Sequence, residues 1–100
     1  RRVALWGAGR LFDLLVSAGG FDPRQLTLLI DTHLRQHMDT RHGVVLSPPE
    51  ALSGTPVETV VVMSRGFAGE IARAARALAT NAEILLYTDL LTRARLKPAA

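Results

Sequence analysis

Cysteine is missing from all 100 residues of the chain. Its absence excludes disulfide scaffolds, zinc–thiolate sites, iron–sulfur clusters and cysteine nucleophiles. Lysine is almost missing too: Lys97, in the tail, is the only one, so no phosphate loop of the GxxxxGK[ST] kind can form. Aromatic residues are few (Trp6, Phe12, Phe21, Phe67 and Tyr87), and most lie in apolar runs that read as core. Nucleic-acid surfaces concentrate positive charge among exposed rings. The net charge of +3 is instead spread along the chain, so nucleic acid is not an expected partner. No apolar run approaches the roughly 20 residues of a membrane helix. Arg1-Arg2 is followed by a run that stops at Gly7, which does not read as a secretory leader. The expectation is a cytoplasmic protein without a membrane partner. Ser17, Ser47, Ser53 and Ser64 occur outside any G-x-S-x-G elbow, and no pair of carboxylates has a spacing that suggests acid/base work. No catalytic residue is assigned.

What is present is a domain's worth of apolar residues in a readable order. Hydrophobic residues make up 48% and charged residues 21%, which suits one folded domain rather than a disordered chain. Val3-Ala4-Leu5-Trp6 is a continuous apolar run of the kind that forms strands buried on both faces. Leu11, Leu14, Leu15 and Ala18 then recur at one helical face over Arg10–Ala18, and Gly19-Gly20 ends the helix. Further strands are expected at Leu26–Ile30, Val44–Leu46, Val57–Met63 and Glu83–Tyr87. A helical turn is expected at Pro49–Leu52, and a long helix at Phe67–Thr80 with Phe67, Ile71, Ala74, Ala75 and Leu78 on one face. Thr32–Gly43, polar and rich in histidine, reads as a long connection, and a short helix is expected through Leu91.

Strands alternating with helices call for parallel pairing through crossovers. The fold class is therefore α/β: a small Rossmann-like, three-layer domain with a mostly parallel five-stranded sheet of order 3-2-1-4-5 and helices on both faces. It is expected to span 1–92, with a basic tail at 93–100 and the third and fifth strands at the sheet edges. Because Arg1 leads straight into the first strand, the chain reads as a piece of a longer protein.

Ligands in open α/β sheets bind beyond the carboxyl ends of the strands. The candidate binding residues are accordingly Gly7, Gly9, Arg10, Asp31, Ser64 and Arg65. Gly7-Ala8-Gly9 allows a tight turn into a helix whose first amides can meet an anion. Asp31 ends the second strand, where dinucleotide folds place the acid that holds a ribose. Ser64-Arg65-Gly66 follows the fourth strand, and Arg65 could meet a phosphate or carboxylate. Phe12 stands where G-x-G-x-x-G needs its third glycine, so the dinucleotide motif is partial. His33 and His37, four apart, have the spacing of a helical metal pair, but polar surface histidines are the expected reading, and no metal site is assigned.

Taken in order, Val3–Gly9, Ile30-Asp31, the stretch Gly43 to Leu52 with Ser47-Pro48-Pro49-Glu50-Ala51-Leu52, Val60–Met63 and Phe67-Ala68-Gly69-Glu70-Ile71 resemble the C-terminal domain of sugar C-methyltransferases. The resemblance implies a Rossmann-like accessory domain without catalysis of its own. The SAM-binding methyltransferase domain would lie elsewhere in the same parent chain and be its partner. The domain would then help form the cleft for a nucleotide-sugar. Two other readings accompany this one: an NAD(P)- or CoA-binding domain of a sugar-modifying enzyme or oxidoreductase, and a module that forms homo-oligomers.

Overall fold

A computed structural model describes residues 2–64 and 66–89. The residues Arg1, Arg65 and 90–100 lie outside it, and with them the basic tail; of the expected helix through Leu91, residues 87–89 are described and are helical.

The first apolar run forms β1 (Val3–Trp6), and the amphipathic segment after it forms α1 (Arg10–Ser17). A 3-10 turn at Pro23–Gln25, capped by the Asp22 carboxylate accepting from the Arg24 amide, leads into β2 (Leu28–Ile30). A second 3-10 turn at Leu34–Gln36 precedes β3 (Thr40–Arg41) and β4 (Val44–Ser47). The chain continues through α2 (Ala51–Gly54), β5 (Thr59–Val62), α3 (Ala68–Leu78) and β6 (Glu83–Leu86).

The domain is α/β as expected, but its sheet is mixed, with six strands in the order β3-β4-β2-β1-β5-β6. This corrects the expected five-stranded order. The pairs β4–β2, β2–β1, β1–β5 and β5–β6 are parallel, while β3 runs antiparallel to β4 and covers the edge that β4 was expected to form. The physical reason lies at His42-Gly43. Both have positive φ, 52° and 80°, which closes a two-residue hairpin turn of the twist that antiparallel strands favour. Thr40 and Arg41 are polar and show no apolar alternation, so the turn residues are the only local sign of the extra strand.

Register divides the side chains between the two faces. Ala4, Trp6, Ile30 and Val60 pack with Leu52 of α2 and Ala75 of α3. Leu5, Leu29, Leu46 and Val61 pack with Phe12 of α1 on the opposite face. The helices after β1 and β5 therefore lie on opposite sides of the sheet, although those two strands are neighbours. Their carboxyl ends diverge into a crevice, the place where open α/β sheets receive ligands. No helix among the described residues is long and apolar enough to cross a membrane.

Candidate functional site

The crevice has a volume of about 410 Å³ and is lined by Trp6, Gly7 and Gly9 from β1 and its turn, Asp31, Thr32 and His33 after β2, and Met63, Ser64, Phe67 and Ile71 from β5 and α3. Of the expected binding residues, Gly7, Gly9, Asp31 and Ser64 meet here. Arg10 does not: its exposed side chain lines a separate hollow with Leu11, Leu14 and Met63. Arg65 lies outside the described residues. Phe12 is also absent from the crevice wall. Its ring is fully buried between α1 and the sheet, so the residue replacing the third glycine serves the core.

The β1–α1 turn is held from several directions. The Gly7 amide donates to the Ile30 carbonyl at 2.7 Å. Its φ of +118° suits glycine, and a Cβ there would lie 3.2 Å from the Met63 backbone. The Ala8 amide donates to Asp31 Oδ2 at 2.8 Å, and the Leu34 amide donates to Asp31 Oδ1 at 2.9 Å. Arg41 Nε donates to the Ala8 carbonyl at 3.1 Å, and its guanidinium also pairs with the Asp13 carboxylate. His42 Nε2 lies 2.7 Å from the other Asp13 oxygen, and its ring meets Phe12 edge-on at 5.5 Å. Both backbone groups of Ala8 are thus satisfied by charged side chains, one from the end of β2 and one from the hairpin. Arg41 and Asp13 were not among the expected site residues. Their pairing joins positions 28 apart in sequence, which no local pattern encodes.

Asp31 therefore has a structural task. Each of its oxygens accepts one backbone N–H, which holds the carboxylate in place and leaves a further lone pair on each.

Other groups in the crevice are less committed. Gly9 has negative φ, and nothing lies within 4 Å of where its Cβ would stand. The Ser64 hydroxyl accepts from the Phe67 amide at 3.3 Å and keeps its own proton to donate. Phe67 is 64% exposed at the mouth. His33 and His37 pack edge-to-face, with ring centres 5.4 Å apart. No group of three or more possible metal ligands occurs among the described residues.

A larger hollow, about 650 Å³, lies on the α1 face between Val3, Leu5, Leu15, Phe21, Leu26 and Val61. Gln25 is its only polar side chain, so it lacks the convergent polar groups that orient a small ligand. No family model, curated protein or solved structure matches this chain, so the reading of the site rests on its geometry.

Proposed function

We propose that this chain is a non-catalytic, Rossmann-like accessory domain of a SAM-dependent sugar methyltransferase, and that its crevice helps hold a nucleotide-sugar. In this reading its partner is the catalytic domain of the same parent chain, which carries SAM, and the protein works in the cytoplasm. Neither nucleic acid nor a membrane takes part. The observation that supports it best is the division of labour at the strand ends. Asp31 is fixed by two backbone amides, while Gly9, Ser64 and Phe67 remain open to a ligand. The mixed lining suits an amphipathic small molecule.

The second reading, an NAD(P)- or CoA-binding domain, draws on one feature: Gly7-Ala8-Gly9 opens directly onto the crevice at the start of α1.

A thermal-shift comparison separates the two, because a ligand that binds only the native state raises Tm. A nucleoside diphosphate sugar at millimolar concentration is expected to raise Tm by a few degrees, and SAM to leave it unchanged. A larger rise with NAD, NADP or CoA than with the nucleotide-sugar would overturn the proposal in favour of the second reading. No rise with any of them would overturn both.

A further inference from the structure

We infer that Phe67 is the platform on which the crevice receives the flat ring of a nucleobase. The inference rests on the crevice reading above and assigns its recognition chemistry. Phe67 belongs to neither core cluster, and its ring is 64% exposed. Its backbone is nonetheless fixed on both sides. The amide donates to Ser64 Oγ at 3.3 Å, and the carbonyl accepts from the Ile71 amide at 2.9 Å. The chain thus holds a large apolar ring at the mouth without burying it, forgoing the stabilisation that burying a phenyl group brings. Single exposed apolar residues are common, but this one lines the crevice beside Trp6, Met63 and Ile71. That wall is apolar and polarisable, whereas Gly9, Thr32 and Ser64 supply polar groups elsewhere in the same crevice. A ligand matching both has a planar aromatic end and a polar end, as a nucleotide does. Stacking of a base on an aromatic side chain is strong and tolerant of base identity.

The test measures binding of UDP-glucose, UMP and glucose 1-phosphate to the whole chain and to its Phe67→Ala and Phe67→Trp variants by titration calorimetry. Phe67→Ala is expected to weaken UDP-glucose and UMP about tenfold and to leave glucose 1-phosphate unchanged, with Phe67→Trp retaining wild-type affinity. Because the residue is mostly exposed, Phe67→Ala should keep the wild-type Tm to within about 3 °C. If wild type binds UDP-glucose and Phe67→Ala binds it equally well, the base platform is refuted and the crevice reading stands. If the variant weakens glucose 1-phosphate as much as UMP, the ring serves the sugar and the inference is wrong. If wild type binds none of the three probes, crevice reading and platform fall together.

Discussion

Gly7, Ala8 and Asp31 spend polar groups on the protein itself, whereas Gly9, Ser64 and Phe67 leave space, a hydroxyl proton and a ring face open to the crevice. In the first set, the amides of residues 7 and 8 and both Asp31 oxygens have protein partners within 3 Å. In the second set, space beyond Gly9, a hydroxyl proton on Ser64 and the face of a phenyl ring remain available. Two glycines separated by one residue therefore do different work. Gly7 is required by its backbone angle and by the closeness of Met63, while Gly9 leaves room. A glycine motif can thus be half structural and half functional, and the halves are told apart by their surroundings.

The comparison breaks most visibly at Phe12. Completing the dinucleotide motif with Phe12→Gly is expected to cost about 4–5 kcal/mol, because it empties a fully buried ring site and adds a flexible residue within α1. Chemical denaturation should show the loss, and no NAD affinity should appear in return. Gly7→Ala comes next, at about 2–3 kcal/mol, from placing a side chain at φ +118° against the Met63 backbone. A Tm drop of roughly 8 °C or more would register it. Asp31→Asn should cost about 1–2 kcal/mol, since an amide offers one acceptor where two backbone N–H groups now find a carboxylate oxygen each. If Asp31→Asn left stability untouched but abolished ligand binding, Asp31 would move from the structural set to the open one.

The smallest effect is expected far from the crevice, at Asp22. Hydrogen bonding from the Arg24 side chain, then from its amide, holds the Asp22 carboxyl below its ordinary value, against a weaker opposing desolvation. A group lowered in the folded state stabilises at neutral pH, and that contribution fades as pH falls through the carboxylate range. The pair lies at the surface, with Arg24 largely exposed, and is therefore weak. Asp22→Asn should therefore barely change Tm at pH 7, and the small difference between the two proteins should shrink further in acid.

The legible parts of this molecule are those where local pattern and final packing agree. Val3–Trp6 forms a strand over the expected residues, because four apolar neighbours followed by Gly7 suit a strand buried on both faces. The helices appear as Arg10–Ser17 and Ala68–Leu78, trimmed by a residue or two where apolar periodicity outlasts the hydrogen-bonded turns. The expected fourth strand, Val57–Met63, appears as β5 without Val57, Glu58 and Met63, and Val57 packs against the core from the preceding loop instead. The polar strand Thr40–Arg41 escaped because its pairing comes from the turn after it and from the partner strand. At the crevice, four expected residues converge because the fold class itself dictates that strand ends do so. Arg10 is on the helix but points elsewhere, which position in a motif cannot reveal. The role of Asp31 was hidden for a similar reason: its partners are backbone amides, which carry no residue-specific mark.

Backbone amide shift mapping during titration with UDP-glucose tests the central claim most directly, because it reports the open and committed residues at once. The account predicts the largest shifts at Gly9, Ser64 and Phe67, with Leu34 and the residues around Leu15, Phe21 and Leu26 little changed. Shifts centred on that apolar hollow, or none at millimolar ligand, would contradict it.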